Sequence, residues 1–473
     1  MKSFTNSRLS SAFPLLSVVA GLLCCTASSV FAQQLPEGIS LHAAGWIQLS
    51  RIGNSSDTVI YTGFHKGAFD GQTVLSPGAQ IELDARLSER LNIATGIGVV
   101  AGNSLAVGPL GTNGGYALPG AYSYVSNAHF TYIFANAATS NLALSGGLFP
   151  YSYNPDVKNL GLYLLRGPVY PGILISGFET KHTLTVANML GLQLHHRVGN
   201  FQQDFLLSSE MEYYPFFDLS PAYVASYLAH PSLRLGAGVN FYHLIPADGK
   251  LTGGRRSDNQ TNWFYRDTTG VGAGGQPDTT NLGYNGTKLM ANASFDPKLF
   301  FGSASWLGPE DLKLYGEVAL IGLDRSKAYR KVYGDYSKRM PVMVGFNVPT
   351  FKVLDELSVE MEWYGSEAED NLDNYTIQGS SHPASPYPTN WDQNTSSSTF
   401  NQLTHKDTRD NWKWSLHASL KLDTHVQFSF QVANDHYRPG VYHGYGDSNP
   451  PYQGSVMVTP KDWYLTTKLA YFF

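Results

Sequence analysis

Asp462-Trp463-Tyr464-Leu465-Thr466-Thr467-Lys468-Leu469-Ala470-Tyr471-Phe472-Phe473 decides how the rest of the chain is read. Trp463, Leu465, Thr467, Leu469, Tyr471 and Phe473 fall on one side of an extended strand. Tyr464, Thr466, Lys468 and Ala470 fall on the other, because side chains alternate with a period of two. One face is largely greasy and the other carries Lys468. A soluble domain seldom finishes on such a strand with a terminal aromatic.

The same alternation recurs through the chain, in pairs of runs joined by a shorter connection and separated by long polar stretches. Ala79, Ile81, Leu83 and Ala85 precede Ile93, Thr95, Ile97, Val99 and Ala101. Ala128 to Phe134 precedes Leu142 to Leu148, Leu190 to Leu194 precedes Phe205 to Met211, and Val224 to Leu228 precedes Leu233 to Phe241. Further on, Leu289 to Phe295 pairs with Leu312 to Leu320, Met340 to Val348 with Leu357 to Trp363, and Trp412 to Leu422 with Val426 to Val432. A first strand near Leu41 to Leu49 and the closing strand bring the expectation to about 16 strands, within a range of roughly 14 to 18, in an even-numbered cylinder with both ends on one side. Ten residues rising about 3.3 Å each and tilted roughly 45° cover about 23 Å, enough for a hydrocarbon band.

Composition points the same way. Charged residues are only 15% and aromatics 13%, with 47 Gly and 29 Tyr, which suits β-structure with long polar loops. The net charge of −5 argues against a nucleic-acid binder. Residues 1–32 read as a cleaved signal peptide, with Lys2 and Arg8 ahead of the apolar run Phe13 to Cys25 and Val30-Phe31-Ala32 before a cut at Gln33. Lipoprotein processing at Cys24 or Cys25 is the alternative, disfavoured by bulky Leu22 and Leu23. Both cysteines lie in this segment, so residues 33–473 offer no disulfide or thiolate site. That region has no apolar run long enough for a transmembrane helix. A membrane location therefore requires strands, and strands satisfy their backbone in lipid only when closed. The fold class is accordingly all-β, a transmembrane antiparallel up-and-down β-barrel with short turns on one side and long loops on the other.

If the apolar residues face lipid, their alternates line the interior: Glu82, Asp84, Arg86, Asp204, Glu210, Glu212, Arg234, Lys288, Lys313, Tyr315, Glu317, Glu360, Glu362, Lys413, His417, Lys421 and Lys468. A cylinder this wide is not filled by side chains alone. Acidic and basic arcs facing each other would screen solutes by charge. The bland reading is that these groups are solvated or pair along the wall. Trp46, Tyr132, Phe134, Tyr242, Trp363, Trp412, Trp463 and Phe473 stand near predicted strand ends, where interfacial girdles form. The third long loop, about 150–181, is far more apolar than the others. Leu160, Leu162, Leu164 and Leu165 should not sit in water, and an inward fold with a short helix around Asp156 to Leu165 would shelter them. A lid packed on neighbouring outer loops would shelter them equally. No residue set suggests a cofactor, a metal site or a Ser/His/Asp constellation, so an enzyme is not expected.

The closing strand with its terminal Phe473 resembles the signal by which gram-negative outer-membrane barrels are recognised and inserted, and the whole chain resembles porin-like barrels of that membrane. Asn154-Pro155-Asp156 to Tyr170-Pro171-Gly172, and Met340-Pro341-Val342 to Glu360-Met361-Glu362, are similar to a group of uncharacterised outer-membrane proteins of fibrobacter-type bacteria. The resemblance implies a cell outer-membrane location, contact with lipid and with the barrel-assembly machinery through the strand ending at Phe473, and a homotrimer. It implies that the third loop sets a constriction, with Tyr151, Tyr153, Asp156, Lys158 and Arg166 touching the permeant. The acidic constriction motif of general porins is missing, which leaves ion preference unassigned. The expected function is passive diffusion of small hydrophilic solutes, with sugars suited to aromatic faces. The alternative is a surface structural or adhesive barrel whose long loops bind polysaccharide around a closed lumen.

Overall fold

Sixteen strands pair in strict sequence order, and the last returns to the first to close the barrel. They are β1 Ile39–Asn54, β2 Thr73–Arg86, β3 Leu91–Gly102, β4 Gly120–Ala137, β5 Ser140–Pro150, β6 Asn188–Val198, β7 Phe201–Ser209 and β8 Leu219–His230. The second half holds β9 Leu233–Tyr242, β10 Gly286–Phe295, β11 Leu314–Ile321, β12 Val342–Asn347, β13 Glu356–Trp363, β14 Trp412–Lys421, β15 Val426–Ala433 and β16 Trp463–Phe472. This computed structural model describes residues 36–55, 69–102, 105–106, 120–137, 139–165, 188–209, 217–245, 247, 265–271, 277–282, 286–301, 305–323, 336–363, 412–434, 437, 440–442, 452–453, 457 and 461–473. The expected signal peptide lies outside them. No described helix is long and apolar enough to cross a membrane.

Closure is a continuous antiparallel ladder. Ile47 stands opposite Leu469 and Leu49 opposite Thr467, and the Phe473 amide donates to the Ala43 carbonyl at 2.9 Å. Every barrel strand thereby has two neighbours, which removes the edges that would otherwise present unpaired amides. The sequence alternation sets the faces. Ile81, Ile97, Val99, Val344, Met361 and Leu469 point outward and stay exposed, whereas Gln80, Lys288, Glu317, Glu360, Lys413 and Lys468 point inward and are buried. Soluble monomers seldom expose contiguous apolar patches of this extent.

The connections are asymmetric. On the side of the chain ends lie 87–90, 138–139, 199–200, 231–232 and 422–425, together with two longer ones, 296–313 and 348–355. On the opposite side, 151–187, 243–285 and 364–411 are the longest. There Tyr265–Val271 pairs with Pro277–Leu282, and Gly440–Tyr442 joins Leu105–Ala106 and Tyr452–Gln453 in a small separate sheet.

Several expectations need correction. Trp46 and Tyr242 are inward and buried, not interfacial. The Trp46 ring lies over Gly78 on β2, where a Cβ would meet it at 2.2 Å, so the missing side chain makes the seat. Phe134, Trp363, Trp412, Trp463 and Phe473 are exposed as a girdle requires. Val224 faces inward, in register with Asp204 and Gly238, because β8 alternates one residue out of step with the expected pattern. Leu312 precedes β11, with its backbone in the left-handed region at φ 65°. No helix forms over 156–165: the segment runs through bends and turns.

Candidate functional site: the barrel interior and its inward loop

After Pro150 the chain turns into the barrel, and the inner wall supplies what an irregular segment lacks. A loop without ladder partners must still satisfy its amides once water is excluded. Here carboxylates do so. The amides of Lys158, Asn159 and Leu160 converge on Glu360 at 2.7, 2.9 and 2.8 Å. The Gly161 amide reaches Glu362 at 3.0 Å and the Tyr163 amide reaches Glu317 at 2.8 Å. Each carboxyl group presents two oxygens, so one side chain can take several amides. Gly161 and Leu162 are both left-handed, at φ 77° and 58°, which turns the chain back along the wall. The positive φ favours glycine at 161, and the missing Cβ leaves room for the Met343 methyl.

Side chains complete the seat. The Tyr153 hydroxyl donates to Glu317 at 2.6 Å and accepts from the Leu164 amide at 3.1 Å. Tyr151 donates to Asp204 at 3.1 Å, and Asn240 donates to the Leu164 carbonyl at 2.9 Å. Asp156 pairs with Arg234 and stands 3.7 Å from Lys313. Lys158 pairs with Glu356 at 2.9 Å. Leu160, Leu162, Tyr163, Leu164 and Leu165 are buried against Met189, Leu206, Val224, Met290 and Met343 from β6, β7, β8, β10 and β12. Burying each leucine contributes roughly 1.5–3 kcal/mol at most.

The candidate residues separate into groups. Glu317, Glu360 and Glu362 lie on the inner wall but beneath the loop. Lys413 stands 3.8 Å from Glu362 in the same covered region. Arg234 and Lys313 flank Asp156. Lys288 sits 4.7 Å over the Tyr242 ring and Lys468 5.1 Å over the Trp46 ring. Tyr151, Tyr153, Asp156 and Lys158 bind the wall, so much of each is occupied in seating the loop. Glu82 and Asp84 keep partial exposure, with His42 3.5 Å from Asp84. Arg86 and Lys421 are exposed where β2 and β14 end. Glu210, Glu212 and Arg166 lie outside the described residues.

The inner wall away from the loop is polar. Tyr124 donates to Gln80 at 3.0 Å, Gln80 pairs with Glu82, and Thr466 donates to Ser50 at 2.9 Å. Toward the chain-end side, Ser40, Asp84, Arg86, Asn92, His129 and Thr131 line a cleft of about 330 Å³. Glu356, Asn240 and Tyr124 went unnoticed in the sequence. Glu356 had a signal: it shares the inward period of Glu360 and Glu362.

No protein-family model matches the chain, and no curated protein does. Solved structures similar to it include bacterial porins. A mutant porin of Rhodopseudomonas blastica is 8% identical, covers 92% of this chain and 100% of its own, and has a TM-score of 0.41. A triple mutant of that porin gives 8% and a TM-score of 0.39 over the same shares. Salmonella typhi OmpF, in complex with daunomycin, is 9% identical over 92% of this chain and 97% of its own, with a TM-score of 0.41. The barrel assignment itself stands on the strand pairing above. The narrower fibrobacter-type grouping is not confirmed by these matches.

Proposed function

We propose that the chain forms a passive outer-membrane channel for small hydrophilic solutes, with the segment 151–165 as a ledge that narrows its bore. The observation that carries the reading is the seating of that segment: an irregular loop turned inward and bonded along its backbone to Glu317, Glu360 and Glu362. Such a ledge obstructs part of a wide cylinder and leaves the facing wall, with the partly exposed Glu82 and Tyr124, to meet a solute. Sugars are the proposed solute class, since partly exposed Tyr124 offers a ring face and Glu82 a hydrogen-bond acceptor. Lipid contact, insertion by the assembly machinery and a homotrimer belong to the same proposal.

The chemistry also favours cations over anions. Lys158, Arg234, Lys313 and Lys413 each stand against a carboxylate, and Lys288 and Lys468 lie over aromatic rings. Glu82 and Asp84 meanwhile keep partial exposure, whereas the exposed Arg86 and Lys421 stand only where their strands end. Planar-bilayer recording tests both statements. A steady unitary current supports the channel, and a reversal potential toward the cation side under a KCl gradient supports the preference. Glu82→Gln with Asp84→Asn should shrink that potential; an anion-selective current would refute the preference while leaving the channel intact.

The second reading is a closed barrel with structural or adhesive loops. It draws on Gln431, Thr466 and Lys468, which are inward yet almost fully buried. A folded barrel that stays electrically silent would favour it.

A further inference from the structure

The two longest connections on the chain-end side, 296–313 and 348–355, carry a cluster of exposed apolar side chains that the channel reading does not use. Leu299, Phe300, Phe301, Trp306, Phe351 and Val353 are each more than half exposed, reaching 71% at Val353. Polar turns would be the ordinary choice there, as in Gly199-Asn200.

The cluster is built, not loose. Thr350 to Val353 is a tight turn closed by the Val353 amide on the Thr350 carbonyl at 3.0 Å. Its central residues, Phe351 and Lys352, are left-handed at φ 55° and 66°. Side chains with a Cβ resist that conformation, and such turns ordinarily use Asn and Gly. Strain of this kind persists only where the surroundings impose it. Buried Asp311 does so. One carboxylate oxygen accepts the Gly308 amide at 2.8 Å; the other accepts the Thr350 amide at 3.1 Å and lies 3.1 Å from its hydroxyl. One side chain thus ties both connections together. Trp306 then stacks on Phe351 at 5.5 Å.

We infer that this knuckle is an anchor that inserts into the phospholipid headgroup–acyl boundary of the leaflet on the chain-end side. Continuity selects lipid over a protein partner. Phe300 lies 6.0 Å from Phe295, the last residue of β10, and Phe295 is in register with Leu314, whose exposed side chain belongs to the outward belt. The apolar surface therefore runs from the barrel wall onto the knuckle without a polar break at this point. Aromatics beside the exposed Lys352 fit a boundary where rings sit at headgroup depth and an ammonium group reaches water, while Lys298 is spent on the Pro309 and Asp311 carbonyls and brackets the cluster. The inference rests on the barrel's membrane location and not on conduction.

Depth-dependent quenching tests it. In a chain with Cys24 and Cys25 changed to Ser, single cysteines replace Phe351, Val353, Val344 or Ser88, carry the fluorophore NBD, and are reconstituted in phosphatidylethanolamine–phosphatidylglycerol vesicles. Nitroxide lipids labelled near the headgroup or deep in the chain are added. The expected result is quenching of the 351 and 353 probes several-fold above the Ser88 probe, stronger with the shallow nitroxide, while the Val344 probe responds to the deep one. Probes at 351 and 353 that match Ser88 while Val344 is quenched would overturn the anchor alone. An unquenched Val344 probe would overturn the membrane location and the anchor with it. Using two knuckle positions separates local damage by one substitution from the surface as a whole.

Discussion

Glu360 shows how one side chain can organise a segment two hundred positions away. It gathers three consecutive amides, from Lys158, Asn159 and Leu160, and a hydroxyl from Tyr315 at 2.9 Å. Each buried amide left without its acceptor costs about 1–3 kcal/mol. Glu360→Ala should therefore loosen the ledge, giving larger and noisier unitary currents in bilayers, whereas Glu360→Gln keeps one acceptor oxygen and should fall between. Unchanged currents in both variants would mean that the ledge does not narrow the path. Gly78 offers a test of packing on a wall nearer the chain's ends. Gly78→Ala places a methyl inside the Trp46 ring and should lower the thermal midpoint, by an amount reflecting about 1–3 kcal/mol of overpacking. Trp46 also marks a limit of sequence reading. An aromatic in a strand looks interfacial until the glycine opposite it is known, and that pairing is set by register with another strand.

At the level of elements, alternation made most strands readable, because a period of two is a local property that each segment carries in its own residues. Val224 shows where that fails: with Leu206, Met290 and Met343 it is an inward apolar residue whose reason is a loop elsewhere in the chain. The greasy 160–165 stretch announced that it would be sheltered, but not by which strands. The knuckle connections behave as a unit through Asp311, and acid should test that unit. Burial pushes the Asp311 carboxyl upward, but amide bonds from Gly308 and Thr350 outweigh it and hold it below its usual 3.8. A depressed folded value means the stabilisation is full above the unfolded value and is lost as pH falls through the folded one. Amide protection factors at Gly308 and Thr350 should fall below about pH 4. In Asp311→Asn they should be low already at neutral pH and insensitive to acid.

For the whole molecule, the closed barrel and its even strand count were legible, since lipid admits few architectures and the pattern repeats along the chain. The interior was only half legible. Which face carried Glu317, Glu360 and Lys468 followed from alternation, while their burial beneath an inward loop or over an aromatic ring depended on tertiary contacts. The outward belt makes a molecular prediction: dilution out of detergent should precipitate the folded barrel, and recovery should require phospholipid. Monodisperse behaviour in plain buffer, followed by light scattering, would contradict it.

The amide of Lys158 and the carboxylate of Glu360 are 202 positions apart in the chain. Contacts of such long range form late, since the intervening polymer must first be confined. Barrel closure spans still more, with Ile47 opposite Leu469, so the clasp can fasten once β13 has been stitched into place and before β16 seals the wall. The bore would then be narrow from the moment the cylinder closes, and solute leak should show no slow decline afterwards.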